Sequence, residues 1–140
     1  MFVIDYFYLF YLKLKGVKFP FRNAEKYRRK GVKIGDNTYV YKNVHIDLTK
    51  GSDITIGNNC CLTGCSILAH DASYNRTGGK TEFKPVVIGN NVFIGWQAIV
   101  LMGVTIGDNV IIGASSVVTK DIPSNCVVAG IPAKIIKKLK

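Results

Sequence analysis

Acids, prolines and histidines are scarce in this chain, and each scarcity removes a class of protein. Only 4 prolines in 140 residues, beside a hydrophobic fraction of 48%, leave no composition from which a long disordered tail is built. With two histidines, three imidazoles on one zinc cannot come from a single chain. The four cysteines, at 60, 61, 65 and 126, lack the paired C-x-x-C spacing of structural zinc sites, so no metal is expected. They read as reduced thiols at packed positions of a cytoplasmic protein, since no cleavable signal is recognisable. No apolar run reaches the ~20 residues that span a bilayer; the strongest, residues 1–12, contains Asp5.

Acids are few, nine against nineteen Lys and Arg, and the resulting net charge of +10 is unevenly placed. Residues 1–33 carry +7 and residues 134–140 carry +4, while the body between them carries −1. A neutral body with two basic ends does not present a duplex-binding face, and no nucleic-acid partner is expected. Two short basic segments suit a phosphate-bearing small ligand or an anionic membrane surface.

What is abundant is repetition. Aliphatic residues recur every six positions at Ile88, Ile94, Val100, Ile106, Ile112 and Val118, with glycine following at 89, 95, 107 and 113. The same beat runs through Ile34, Val40 and Ile46, and through Ile56, Leu62 and Leu68. Six residues turn an α-helix through about 600°, so a helix cannot keep these side chains on one face. Each six is therefore a short strand and a corner. Ile-Gly-Asp/Asn-Asn recurs at 34, 56, 88 and 106, and Gly and Asn tolerate the positive φ of sharp bends. If a coil is three sixes, these intervals are one coil plus 4, one coil plus 14, and one coil. The spacing predicts a three-sided solenoid with an insertion at 50–53 and a long loop after His70, ending near Pro85. Residues 1–33, aromatic and basic, are expected to cap one end, and residues 134–140, as a basic helix or tail, the other.

The stretch from Val87 to Lys134 resembles the hexapeptide-repeat acyltransferases, above all the galactoside, maltose and serine acetyltransferases. The motifs that carry the likeness are Val-Ile-Gly-Asn-Asn-Val-Phe-Ile-Gly at 87–95, Gly-Ala-Ser-Ser-Val-Val-Thr-Lys-Asp-Ile-Pro at 113–123 and Ala-Gly-Ile-Pro-Ala-Lys at 129–134. The resemblance covers residues 32–140 and implies an all-β, left-handed parallel β-helix of about four to five coils. It further implies a homotrimer with sites shared between subunits and acetyl-CoA as co-substrate.

The resemblance also suggests site residues. His70, just before the long loop, matches the general base, and an ordinary imidazole is suited to taking a hydroxyl proton. Asp47 and Asp71 compete to orient it, and His45, Asp47 and Asn43 match acceptor-contacting positions one coil earlier. Trp96, Ala114 and Thr119 match the backbone positions that line the donor, with an amide near Trp96 as an oxyanion donor. Lys120, Lys134 and Lys137 match positions that meet the CoA phosphates. A cysteine acyl-enzyme through Cys60, Cys61 or Cys65 is the less favoured mechanism.

The expected function is O-acetylation of a sugar or glycan precursor, in polysaccharide synthesis. N-acetylation of an amino sugar, O-acetylation of serine and a non-catalytic β-helix scaffold are the alternatives. A β-helical carbonic anhydrase is disfavoured by the histidine count. The expected location is cytoplasmic, peripheral to the inner membrane face through residues 1–18.

Overall fold

A computed structural model of the protein describes residues 23–140. The membrane contact expected of residues 1–18 lies outside the described residues. Within them the chain is a left-handed parallel β-helix, and its strands before Cys126 are two or three residues long because each six spends the rest on a corner. The first face holds Lys33–Ile34, Ile54–Ile56, Val86–Ile88 and Thr105–Ile106. Tyr39–Val40, Cys61–Leu62, Phe93–Ile94, Val110–Ile112 and Cys126–Gly130 stack on the second. His45–Ile46, Ser66–Ile67, Ile99–Val100 and Val117–Val118 form the third.

Parallel register puts like on like, so each face sends one aliphatic ladder inward. Ile34, Ile56, Ile88 and Ile106 stack on the first face, and Val40, Leu62, Ile94, Ile112 and Val128 on the second. All of these are buried. Full burial of one such side chain stabilises by about 1.5–3 kcal/mol, and this repeated term holds the prism together. One corner is marked by Asn37, Asn59, Asn91, Asn109 and Asn125, all with φ between 52° and 62°. Their side-chain amides bond from coil to coil, for example Asn91 Nδ2 to Asn109 Oδ1 at 3.0 Å. Asparagine therefore supplies both the left-handed bend and a polar ladder along it.

The third face departs from the sequence pattern at one coil. Ile67, not Leu68, stacks between Ile46 and Val100. The corner after Leu62 is one residue shorter than the corner after Ile94, so the inward position moves one place earlier. Gly64, at φ 54°, makes this tight turn.

At the N-terminal end, helix Ala24–Arg28 lies against the first coil. Buried Tyr27 donates its hydroxyl to the Val44 carbonyl at 2.7 Å, and Arg28 donates to the carbonyls of Ile34 and Gly35. At the other end the basic segment is neither helix nor free tail. Ala133–Lys138 is a strand that turns back antiparallel to Cys126–Gly130. The last parallel strand would otherwise present an unpaired row of backbone groups, and the returning strand satisfies them.

Candidate active site

The repeat is interrupted after Ala69, where the chain leaves the third face instead of turning onto the first. His70–Asp71 pairs antiparallel with Glu82–Phe83, so the loop goes out and returns as a short hairpin around a 3-10 turn, Ser73–Thr77. Asp47 leaves the third face at the same corner, one coil earlier. The register of Ile46 beside Ile67 brings its carboxylate under the start of the hairpin. Oδ1 accepts the Thr49 N–H at 2.9 Å, and Oδ2 accepts the Ala69 N–H at 3.0 Å. Oδ2 is also hydrogen-bonded to His70 Nδ1.

Asp47 is only 4% exposed. Burial pushes its carboxyl up, but the Thr49 N–H, the His70 ring and the Ala69 N–H together outweigh burial and hold it well below the usual carboxylate range. It is therefore an anion, and an anion accepts. The neutral imidazole then carries its proton on Nδ1 and leaves the Nε2 lone pair free to take one. The His70 side chain is about one-third exposed, at 32%.

Asp71, the competing acid, is turned away to its own loop. Its Oδ1 accepts the Ser73 N–H at 2.8 Å, which also lowers its pKa, and it makes no hydrogen bond to His70. His45 and Asn43 are exposed on the coil of Asp47 and touch neither His70 nor Asp47 by hydrogen bond among the described residues. Two residues without a sequence signal complete the site. Phe83 stacks on His70 with ring centroids 5.8 Å apart and planes 30° from parallel, and Lys50 sets its ammonium 4.0 Å from the Phe83 ring centre. They come from the two insertions, where no periodicity reports on side-chain direction.

The residues expected on the donor divide between two edges of the prism. Trp96 and Ala114 sit at the corner between the second and third faces, stacked so that Trp96 O accepts the Ser115 N–H at 2.8 Å. Their own amides donate to no described residue. Thr119 and Lys120 lie exposed at the opposite edge of the third face, the edge of Asp47 and His70, two coils beyond His70. Lys134 and Lys137 project from the final strand, opposite Ala129 and Val127. One chain therefore does not bring the expected base and the expected oxyanion amide together.

The Trp96 ring, 49% exposed, lies over Gly64, where the shortened corner leaves room. A Cβ on Gly64 would stand 2.3 Å from the indole, at a backbone φ of 54°. Gly64→Ala is therefore expected to displace the ring and to cost about 1–2 kcal/mol for the left-handed alanine alone. The chain has one tryptophan. Its emission should shift red in this variant, and an unchanged spectrum would show that the contact is not made.

The cysteines offer no competing nucleophile. Burial pushes the Cys61 thiol up to about 11 and the Cys65 thiol up to about 12, which removes the thiolate at neutral pH. Cys60 is buried, its thiol against the Gly89 carbonyl at 3.1 Å.

Stacked six-residue rungs closed on three faces define the class, a hexapeptide-repeat β-helix protein. Residues 85–120 match the family model described as the hexapeptide repeat of succinyl-transferase. Protein CapG of Staphylococcus aureus is 41% identical over 127 residues, covering 84% of this chain and 72% of CapG. Galactoside O-acetyltransferase of Escherichia coli is 39% identical over 112 residues, covering 77% of this chain and 54% of that enzyme. The chain thus spans about half the length of that relative. A hexapeptide-repeat acetyltransferase of Vibrio cholerae, solved with acetyl-CoA, superposes with a TM-score of 0.59 at 27% identity, covering 84% of this chain and 78% of that one. The chain belongs to the hexapeptide-repeat acetyltransferase family.

Proposed function

We propose that the protein transfers an acetyl group from acetyl-CoA directly to a hydroxyl of a sugar or glycan precursor, with His70 as general base. The observation that carries this reading is the bond from His70 Nδ1 to buried, ionised Asp47, which leaves Nε2 as the acceptor at the mouth of the longest loop. An acceptor hydroxyl gives its proton to Nε2 as its oxygen attacks the thioester carbonyl. The C–S bond then breaks, and the leaving CoA thiolate takes the proton from the imidazolium, which returns His70 to its neutral form. Asp47 stabilises the imidazolium formed in between. The galactoside relative supports a sugar acceptor, and the acetyl-CoA-bound relative supports the donor. Thiol release measured over a panel of sugars, amino sugars and serine tests the acceptor class. Turnover with serine alone would overturn the sugar assignment.

A second copy completes the site in this reading. His70 with Thr119 and Lys120 line one edge of the third face, Trp96 and Ala114 the other, so a groove holding all of them forms where unlike edges of two subunits meet. The outward row of the second face runs from Tyr39 to Lys137, and its middle, Cys61, Phe93, Ile111 and Val127, is apolar and suits burial against another copy. Light scattering should give the mass of three chains. A monomer at micromolar concentration would remove the shared groove.

The CoA phosphates are assigned to Lys120 and Lys134, with Lys137 on the same strand as Lys134. Replacing Lys120 and Lys134 by Ala together should raise KM for acetyl-CoA and flatten its dependence on salt, since the lost term is ionic. An unchanged KM would make the basic end a solvated surface. A cytoplasmic location, with membrane contact through residues 1–18, remains part of this proposal, and liposome co-sedimentation with and without those residues tests it.

A further inference from the structure

We propose that Phe83 is a positioning residue for the His70 imidazole and that Lys50 latches it in place. This rests on His70 being the base. A single hydrogen bond at Nδ1 fixes one edge of the ring and leaves it free to swing about the axis to Asp47. The stacked Phe83 ring, 5.8 Å away and 30° from parallel, closes that freedom on one side. It reaches this place because His70 and Phe83 are direct partners in the antiparallel ladder.

That ladder is two residues per strand, which is too little to hold a hairpin by itself. Two further ties hold the returning strand. Lys84 N–H donates to the Ala69 carbonyl at 3.1 Å, and Gly103 N–H donates to the Lys84 carbonyl at 3.3 Å. Neither fixes the Phe83 ring. Lys50 does, with its ammonium 4.0 Å from the ring centre. Lys50 precedes the short 3-10 turn Gly51–Asp53, the insertion of the earlier coil. The two breaks in the repeat therefore meet at Phe83. One insertion supplies the aromatic wall beside the base and the other supplies the cation that holds it.

The test compares Phe83→Ala, Phe83→Tyr, Lys50→Met and Lys50→Arg in the full chain, with and without His70→Ala. Phe83→Ala should lower kcat about tenfold with KM for acetyl-CoA unchanged, as a misplaced group does, and Phe83→Tyr should restore the rate. Lys50→Met should lie between them and Lys50→Arg near wild type. In the His70→Ala background Phe83→Ala should cost nothing further. The chain has only two histidines, so nitrogen-15 spectra of labelled histidine read the ring directly. His70 should show one Nδ1-protonated form in wild type and a broadened mixture of tautomers in Phe83→Ala. An unchanged His70 spectrum with unchanged kcat, or an equal loss in the His70→Ala background, would overturn the proposal. If His70→Ala itself keeps full activity, the base assignment falls, and the spectrum still decides whether Phe83 orients the ring.

Discussion

His70→Ala is expected to lower kcat by about 10²- to 10⁴-fold, the usual loss on removing a general base, while the assembly and its acetyl-CoA binding persist. The separation follows from where the side chain sits. His70 is at the edge of the hairpin, one-third exposed, and outside the aliphatic ladders that hold the prism. Its removal costs the fold its bond to Asp47 and little packing. The effect should therefore fall on kcat rather than on melting temperature or on KM for acetyl-CoA. A variant that retains more than about a tenth of the rate with a good acceptor would shift the base to another residue, and His45 would be the next to test.

Asp47→Ala should be costly in two ways. Without the carboxylate nothing selects the Nδ1-protonated tautomer, and kcat should fall about 10²-fold. The amides of Thr49 and Ala69 also lose their acceptor, and the Ala69 amide, a buried donor left unpaired, costs about 1–3 kcal/mol. Asp47→Asn separates the two losses. An amide oxygen in the place of Oδ2 can still accept from His70 and Ala69, so this variant should keep more activity than Asp47→Ala while loosening the turn at Thr49. The stability effect has a defined pH dependence. The carboxyl is held below its unfolded value of about 3.9, so its contribution is fully present above that value and is lost as pH falls through the lower folded one. The stability gap between wild type and Asp47→Ala should not narrow from pH 7 to about 5 and should close only below about 4. A gap that narrows between pH 7 and 5 would mean that Asp47 is not held ionised.

The features of the fold legible in the sequence are those that a period reports. Residues at Ile88, Ile94, Val100 and their successors announce their own neighbours, because parallel register repeats one environment every coil. His70 was legible for the opposite reason, since it stands where the period stops. The substitution of Ile67 for Leu68 in the third-face stack was hidden because adjacent aliphatics fit the same beat, and only the one-residue loss near Gly64 distinguishes them. The contest between Asp47 and Asp71 was open for a related reason. Asp71 is next to the histidine in sequence, but a strand sends neighbours to opposite sides, and the acid one coil away is the one under the ring. The return strand Ala133–Lys138 and the meeting of Lys50 with Phe83 lie outside the repeat, where spacing carries no information about contact.

Titration calorimetry of acetyl-CoA into the wild-type protein tests the central claim most directly, because a scaffold with this fold has no reason to hold the donor. Saturable binding is expected at one acetyl-CoA per chain, weakened by salt and preserved in His70→Ala. No measurable binding at millimolar acetyl-CoA, from protein shown to be folded and trimeric, would contradict it.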